Sequence, residues 1–344
     1  MNPGRVVSVY MTTMNTLSTS PTSHSIVIRG WRVVKRFLVV FKHWIMADPH
    51  AVPVSESTQD RIEWIRVVPF IGMHLMCFAI IWVGISPVAV LVAVIAYLLR
   101  MFAITGFYHR YFSHRTFKTS RIGQFIFALL GAAAVQRGPV WWAAHHRHHH
   151  AYSDQNNDVH SPSQLGFFRA HAGWFLTRKG FAPDLKRVRD LMRYPELRWL
   201  DRFDIAVPVL MAYGMLKLGQ YLQVHSPQLH TNGFQMLVWG FFVSTIACYH
   251  ITYSINSLAH VIGSRRYRTQ DDSRNNWLLA LLTLGEGWHN NHHHYPVSTR
   301  QGFYWWEVDI TFYVLKALSW LGIVWDLKPV PHEVRTAHLR NGQE

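Results

Sequence analysis

Charged residues are scarce in this sequence of 344 residues. Asp, Glu, Lys and Arg make up 15% of it, against about 25% in a typical soluble domain. Acidic residues are fewer than basic ones, with 19 Asp and Glu against 34 Lys and Arg, and no acidic residue precedes Asp48. Cysteine is nearly absent, since the chain has only Cys77 and Cys248, each inside an apolar run. These shortages exclude a disulfide-stapled secreted domain and make an ordinary soluble domain a poor fit.

The formal net charge of +15 suits two classes of partner: nucleic acid, or an anionic membrane surface with anionic substrates. No soluble nucleic-acid-binding module is recognisable in the sequence. Hydrophobic residues make up 49% of the chain, which includes 15 Trp and 14 Tyr. Because Trp and Tyr concentrate at membrane interfaces, we expect a lipid bilayer as partner and no nucleic acid.

Long apolar runs occur in four places, at residues 67–85, 88–108, 205–222 and 234–255. Each run is near the roughly 20 residues that an α-helix needs to cross a bilayer. Arg100 and Lys217 interrupt the second and third runs, where a long basic side chain can extend to the interface. A further apolar run at 122–135 is too short to cross, and we interpret it as a buried or interfacial helix.

Basic residues are distributed unequally between the two ends of these spans. The turn at 86–87 and the loop at 223–233 contain no Lys or Arg, whereas the opposite side is basic at 61–66, 110–121, 178–189 and 265–268. The positive-inside rule then places both termini and the segment between spans two and three in the cytoplasm. The predicted fold class is an all-α integral membrane protein with four transmembrane helices and a cytoplasmic helical cap.

The sequence divides into three parts: a leader at 1–60, a membrane domain at 61–335 and a tail at 336–344. Residues 1–45 fit a disordered leader or a start codon placed too far upstream. Within the leader, Arg29, Arg32 and Arg36 recur at helical spacing among apolar residues. This pattern predicts a basic amphipathic helix lying on the membrane surface, with a short helix packed on the main domain as an equal alternative.

Histidine is abundant and falls in four groups, all on the predicted cytoplasmic side. The groups are His109 with His114, then His146, His149 and His150, then His260, and finally His289, His292 and His293. In the second and last groups the i, i+3, i+4 spacing puts three imidazoles on one helix face. Nine imidazoles from four elements suit two metal ions rather than one. Imidazole binds Zn, Cu, Fe and Ni, so the ligands alone leave the metal open.

Other histidines are expected to stay outside this site. His145, His148 and His294 adjoin the groups, but their helical phase turns them away, so we expect indirect or solvent-facing roles for them. His74 and His250 lie inside predicted spans and are interpreted as packing residues.

A pair of metal ions at a membrane surface can hydrolyse esters, transport ions or activate oxygen. Hydrolysis of phosphate esters usually recruits carboxylates that bridge the metals, and carboxylates are scarce within the histidine groups. Transport needs polar groups along the spans, which these spans lack. Oxygen activation at iron fits better, and a site at the cytoplasmic mouth of the bundle could receive an alkyl chain.

The four histidine blocks, in this order, resemble those of the membrane fatty acyl desaturases of the stearoyl-CoA Δ9 type. The family pattern HxxxxH, HxxHH, NSxxH and HxxHH is matched by "HRYFSH" at 109–114, "HRHHH" at 146–150, "NSLAH" at 256–260 and "HNNHH" at 289–293. The C-terminal "WWEVDITFYVLKALSWLGIVWDLK" is also similar to the family. The resemblance covers roughly residues 60–330.

The resemblance implies an acyl-CoA desaturase that uses dioxygen and electrons to introduce a cis double bond, at Δ9, into a saturated acyl chain. It implies two iron ions held by the nine histidines, with Asn256 contacting one iron through a water. The product would serve unsaturated fatty acid biosynthesis. A hydroxylase or ketolase with the same histidine boxes, and a desaturase of acyl-lipids rather than acyl-CoA, are the alternatives.

Two acids are expected to support the metal ligands. Metal-bound imidazoles commonly donate their second N–H to a carboxylate, and Asp158 and Glu286 flank the second and third histidine boxes. We predict that these two carboxylates accept such hydrogen bonds. A helix cap or a surface position is the alternative reading of each.

Substrate residues are predicted from the same resemblance. Arg178 and Lys179 in "GWFLTRKG" match a basic pair that the family places near the CoA phosphates, and a solvated or lipid-facing pair is the alternative. Gln136 and Trp142 precede the second box and are expected to line the acyl tunnel.

The chain departs from animal members, which have "RDH" where this sequence has "AHH" at 144–146. The form "WWAAHHRHHH" is more similar to bacterial members, so we expect a bacterial inner membrane and leave acyl-lipid open beside acyl-CoA. The sequence contains no haem-binding "HPGG". The expected electron donor is therefore a separate ferredoxin or b-type cytochrome with its reductase, docked on the basic cap.

Overall fold

The structure is a computed structural model and describes residues 60–340, together with the isolated positions 35 and 46. The predicted amphipathic helix of the leader falls outside these residues, apart from Lys35. Within 60–340 the chain is helical, and its single ladder is antiparallel, pairing β1 Lys118–Thr119 with β2 Val324–Trp325. The all-α fold class is confirmed.

Fifteen α-helices lie in the described range. They are α1 Trp64–Cys77, α2 Ile80–Val83, α3 Pro87–Phe102, α4 Arg121–Ala132, α5 Pro139–Tyr152, α6 Pro162–Leu165, α7 Arg178–Phe181, α8 Pro195–Arg202, α9 Ala206–His225, α10 Gly233–Leu237, α11 Ser244–Asn256, α12 Trp277–Leu282, α13 His289–His294, α14 Ile310–Trp320 and α15 His332–Thr336.

Shorter or wider helical turns join these elements. Three are π-helical: π1 Ala103–Ser113, π2 Arg169–Gly173 and π3 Val238–Val243. The 3₁₀ turns are Trp174–Leu176, Leu185–Val188, Leu191–Arg193, Pro227–Leu229 and Leu258–His260. The first π-helix continues α3 without a break, so α3 and π1 form one long helix. The third π-helix joins α10 to α11, so these three elements form a second long helix.

Within residues 60–340, three helical segments are long and apolar enough to cross a membrane: Arg66–Val83, Pro87–Ser113 and Gly233–His260. They coincide with the first, second and fourth predicted spans. The third predicted span, 205–222, is helical as α9 but qualifies only together with α8, from which it is bent by 68°. Lys217, Gln220 and Gln223 make α9 less apolar than the other spans. The described part of the chain therefore has three candidate spans, or four if the bent pair counts as one.

The ends of these spans follow from local sequence. Gly84 has a φ of +70°, a left-handed conformation that ends the first span and suits glycine. Ser86 then accepts a hydrogen bond from the backbone N–H of Ala89, and Pro87 occupies the first turn of α3. A serine cap followed by proline is a strong start signal for a helix. The second span therefore begins only a few residues after the first ends.

The shorter apolar helices present one buried and one exposed face. In α4, Phe127 and Ala128 are buried, while Ile122, Ile126 and Leu130 are exposed. This helix is shorter than a span, as the sequence predicted for the run at 122–135. Large apolar side chains also point outward from the spans, for example Ile81, Trp82 and Leu99. Such an apolar exterior is expected of a lipid-facing surface.

The core is centred on π1. Tyr108 and Phe112 are fully buried there, and the ring of Phe107 stacks on that of Phe127 with 3.7 Å between centroids. Burying one such aromatic side chain stabilises the fold by about 1.5–3 kcal/mol. The π1 segment packs against α4 and α5, which fixes the first histidine box against the second.

Candidate metal centre

The first histidine box is carried by π1. The backbone N–H of His114 donates to the carbonyl of His109 at 3.2 Å, an i→i+5 bond of the kind that defines a π-helix. Residues five apart thus come onto one side, and the two imidazole centroids are 4.9 Å apart. A regular α-helix would turn them well apart. The five-residue spacing of "HRYFSH" is therefore matched by a helix type that the sequence analysis did not predict.

The second and third boxes lie on α5 and α13. His146, His149 and His150 share one face of α5, as their spacing predicted, with 4.6 Å between the rings of His146 and His150. The six-residue helix α13 carries the third box. His260 ends the 3₁₀ turn that follows α11. Four separate elements thus bring all nine histidines together.

The nine imidazoles sort into two adjacent groups whose possible ligand atoms converge. Within each group these nitrogens lie within 4.8 Å of one another. The rings of His150 and His293, which belong to different groups, are 4.5 Å apart between centroids. The five-histidine group is His109, His114, His146, His150 and His292, and the four-histidine group is His149, His260, His289 and His293.

The imidazoles face one another through their Nε2 atoms. These atoms are 2.7 Å apart in the pair His114–His146, 2.9 Å in His150–His292 and 3.0 Å in His260–His289. Two nitrogens that each lie about 2.1 Å from one metal, roughly at a right angle, are about 3.0 Å apart. The spacing of the donors therefore fits a metal ion held by each group.

Four of the nine histidines contact a carboxylate through Nδ1, on the side of the ring opposite the facing Nε2 atom. Nδ1 of His149 lies 3.0 Å from Asp158, and Nδ1 of His109 contacts the carboxylate of Glu286. These are the two acids that the sequence predicted. Two further acids were missed: Asp154 lies 2.7 Å from Nδ1 of His260, and Asp271 lies 2.6 Å from Nδ1 of His293. In these four histidines the Nδ1–H is thereby directed to a carboxylate, which leaves Nε2 as the lone-pair nitrogen.

Protonation within the groups favours metal binding. Burial, followed by the charge of neighbouring imidazoles, lowers the pKa of His146, His150 and His292 well below its usual range. Burial would raise the pKa of the Asp158 and Asp271 carboxyls, but their histidine partners outweigh burial and hold both pKa values well below the usual range. These three imidazoles are therefore neutral and these two carboxylates are ionised, which is the state that metal ligands and their partners require.

Glu286 is itself fixed by a buried arginine. Arg110 is fully buried and its Nη2 lies 3.0 Å from Glu286 and 2.9 Å from Asp309. Gly285 precedes Glu286 with a φ of +133°, and a side chain there would collide with the Asp309 carboxylate. Only glycine therefore allows this close approach, which aims Glu286 at His109.

The neighbouring histidines lie outside the two groups, as predicted. The ring nitrogens of His148 and His294 donate to the carbonyls of Asn157 and Val334, both at 2.9 Å. His145 is buried beside Trp141 and Trp174. The ring centroid of His160 lies 4.2 Å from that of His149, and the two ring planes are tilted by 35°.

Replacing His148 by alanine is expected to leave turnover within about twofold of the native protein, because its imidazole bonds only a loop carbonyl. Stability should fall by about 0.5–1.5 kcal/mol for the lost hydrogen bond. Turnover of the purified variant would measure the first effect, and its denaturant-induced unfolding would measure the second. An inactive His148→Ala protein with normal expression would show that His148 does not lie on the face of α5 turned away from the other histidines.

An apolar cavity of about 510 Å³ leads to the histidines. Its walls come from α1, α9, π3, α11 and the start of α5, and include the predicted tunnel residues Gln136 and Trp142. A second cavity of about 50 Å³ lies against His109, His149 and His289. Four residues line both cavities: Trp142, His146, Thr252 and Asn256. Asn256 thus lies where the cavity meets the histidines, although it belongs to neither group.

The predicted CoA-contacting pair lies next to the cavity rather than in it. Arg178 and Lys179 are in α7, whose last residue, Phe181, lines the large cavity. Arg178 pairs with Glu63 at 3.4 Å, and Lys179 is exposed. The structure leaves these two cations at the rim.

Comparison with known proteins agrees with the site. The profile of the fatty acid desaturase family matches residues 85–322. An acyl-CoA C20 Delta5-desaturase of Anemone leveillei is 37% identical over 299 residues, covering 82% of this chain and 89% of that protein. An sn-1 stearoyl-lipid 9-desaturase of Anabaena variabilis is 34% identical over 278 residues, covering 80% and 97%. Delta-9 acyl-lipid desaturase 1 of Arabidopsis thaliana is 34% identical over 276 residues, covering 79% and 86%. This chain therefore belongs to the fatty acid desaturase family, an oxidoreductase family of lipid metabolism.

Proposed function

We propose that this protein introduces a cis double bond into a saturated fatty acyl chain at two iron ions held by the nine histidines. The observation that carries the proposal is the convergence of the two histidine groups at an apolar cavity large enough for an acyl chain. Iron, when bound, supplies oxidation by dioxygen: with two electrons and two protons, two C–H bonds of the chain are lost and two waters form.

The protein's own residues hold and orient that chemistry. The nine histidines would be the ligands, five for one iron and four for the other, and Asn256 would contact one iron through a water. Asp158, Glu286, Asp154 and Asp271 would keep the protons of their four histidine partners on Nδ1, so that Nε2 of each of these four rings is free to bind metal.

Residues of the cavity would position the acyl chain. Gln136 donates from Nε2 to the hydroxyl of Thr252 at 3.0 Å, and the indole N–H of Trp142 donates to Gln136 at 3.4 Å. These bonds fix the polar part of the wall beside His146, while the rest of the wall is apolar. A chain held there would present a defined methylene pair and exclude water from the oxidising site.

Acyl-CoA is the substrate we propose, with the double bond at Δ9. Arg178 and Lys179 at the cavity rim would contact the CoA phosphates. Acyl-lipid is the second candidate, because relatives from Anabaena variabilis and Arabidopsis thaliana carry names that specify lipid-bound substrates. A hydroxylase or ketolase is the third, and it is distinguished by the oxygen left in its product.

Electrons would come from a separate donor, a ferredoxin or a small b-type cytochrome with its reductase. The donor would be acidic and would dock on the basic cap. The membrane orientation proposed is the one that charge predicts, with both termini and the histidine site on the cytoplasmic side of a bacterial inner membrane.

One experiment can test both the acyl carrier and the position of the double bond. Membranes containing the protein and a donor system would receive stearoyl-CoA or a distearoyl phospholipid, each labelled in the acyl chain. We expect labelled cis Δ9 product in the CoA pool within the first minutes. Product that appears first in intact phospholipid would favour the acyl-lipid candidate, and a hydroxylated or keto product would replace the desaturase proposal.

A further inference from the structure

Gln301 lies on the Nδ1 side of the five-histidine group, in the loop between α13 and α14, and its side chain is almost completely buried. Its amide nitrogen Nε2 lies 3.3 Å from Nδ1 of His109 and 3.4 Å from Nδ1 of His292. These two histidines come from the first and third boxes. Among the described residues, only Gln301 has a side chain within hydrogen-bond distance of the Nδ1 atoms of two of the nine histidines.

The two histidine groups differ in what their Nδ1 atoms contact. In the four-histidine group three rings each contact a carboxylate of their own, from Asp154, Asp158 and Asp271. In the five-histidine group only His109 contacts one, that of Glu286. The partner of the His292 Nδ1 atom within the described chain is the amide of Gln301. Because such partners orient metal-bound imidazoles, the five-histidine group depends on a neutral side chain where the other group uses carboxylates.

The backbone of Gln301 is fixed independently of its side chain. Its N–H donates to Asp309 at 2.7 Å, and its carbonyl accepts from the side-chain amide of Asn291 at 3.0 Å. Asp309 pairs with the buried Arg110, and Asn291 lies in α13 next to His292. A substitution at position 301 keeps these bonds, so it changes what the two rings contact rather than the course of the loop.

The position of the proton on His292 determines how its ring binds a metal. With the amide nitrogen toward it, Nδ1 accepts a hydrogen bond and the proton lies on Nε2. Metal binding at Nε2 requires that proton on Nδ1, where it needs an acceptor. The amide oxygen Oε1 of Gln301 is buried without a hydrogen-bond partner, and a half-turn of the amide would direct it to Nδ1. Glu286 would lose the hydrogen bond from Gln301 but keep its contacts with Arg110 and His109.

We propose that Gln301 is a positioning residue of the five-histidine group, whose amide oxygen accepts the Nδ1 proton of His292 when that group holds iron. This inference rests on the proposed function, which assigns one iron to each group. Its consequence is selective: loss of the Gln301 amide weakens iron binding at the five-histidine group. The four-histidine group, whose carboxylate partners are separate from Gln301, keeps its iron.

Iron content after a chelator challenge tests the proposal without turnover. Gln301→Met keeps the approximate length of the side chain but removes both ends of the amide. We expect iron affinity at the five-histidine group to fall roughly 10- to 100-fold. A chelator concentration that leaves both irons in the native protein should then leave about one in the variant. If Gln301→Met is unstable, Gln301→Asn carries the same test, because its amide is one methylene shorter and cannot reach both rings.

Mössbauer spectra of the same samples identify which iron is lost. Asp271→Asn should release iron from the four-histidine group, because Asp271 contacts His293 of that group. The signals that Gln301→Met and Asp271→Asn retain should therefore differ, and together they should account for the native spectrum. A glutamine needed only for folding would release both irons alike.

Two further variants separate the amide from simple packing. Gln124→Met removes a buried glutamine whose amide contacts the hydroxyl of Tyr111, and it should retain both irons. Gln301→Glu offers an acceptor oxygen in either orientation and should also retain both.

Three results would overturn the proposal: native iron content in Gln301→Met and Gln301→Asn, equal loss from both groups, or the same loss in Gln301→Glu as in Gln301→Met. A native protein that holds no iron would contradict the proposed function as well. A native protein that holds both irons but never desaturates would contradict the proposed function alone.

Discussion

His149→Ala protein is expected to insert into the membrane and to lose desaturation by more than about 100-fold. Its imidazole belongs to the four-histidine group and is almost completely buried. No side chain from the protein surface can therefore take its place as a metal ligand. Mutation of residues that only orient metal ligands already costs about 10–100-fold, and loss of a ligand itself should cost more. Turnover and iron per chain in purified protein would measure the effect.

The matched control for this experiment is the neighbouring His148→Ala. Both variants remove one imidazole from α5, but only His149 points at the other histidines. We expect normal iron content and turnover in the control. Full activity of His149→Ala would contradict the assignment of the histidine groups as the metal centre.

Asp271→Asn is expected to lower iron affinity roughly 10- to 100-fold while the fold is retained. Asp271 lies 2.6 Å from Nδ1 of His293 and also caps the loop through the backbone N–H of Ser273. Asparagine preserves the shape and the cap but removes the negative charge that keeps the proton on Nδ1. Iron content after a graded chelator challenge would report the change without any dependence on turnover.

Asp272→Asn provides the control, because Asp272 is adjacent but partly exposed and pairs with Arg265 instead. Its iron affinity should equal that of the native protein. If both variants retain iron equally well, the carboxylate behind His293 has no role in holding the metal.

The sequence predicted most of this site because histidine spacing is a local property. On α5 the i, i+3, i+4 pattern determined which imidazoles share a face, and His148 and His149 were correctly separated. His109 and His260 could be assigned to the same side of the membrane because each follows an apolar run. Asp158 and Glu286 were found because they lie close in sequence to the boxes.

The remaining features depend on long-range structure. Asp271 reaches His293 from a loop that is 22 residues away in sequence, so no local pattern announces it. The π-helical geometry of π1, which packs against α4 and α5, is likewise not indicated by any local residue pattern. Gln301 also reaches His109 from a distant part of the sequence.

The most direct test of the central claim is the fatty-acid composition of a host that expresses this protein with a compatible electron donor. Methyl esters would be analysed by gas chromatography with mass spectrometry, with His149→Ala as the matched control. We expect a new cis-monounsaturated acid in the native sample and none in the control. Identical profiles from well-expressed, iron-loaded native protein and the control, with each donor class supplied, would contradict desaturation at this site.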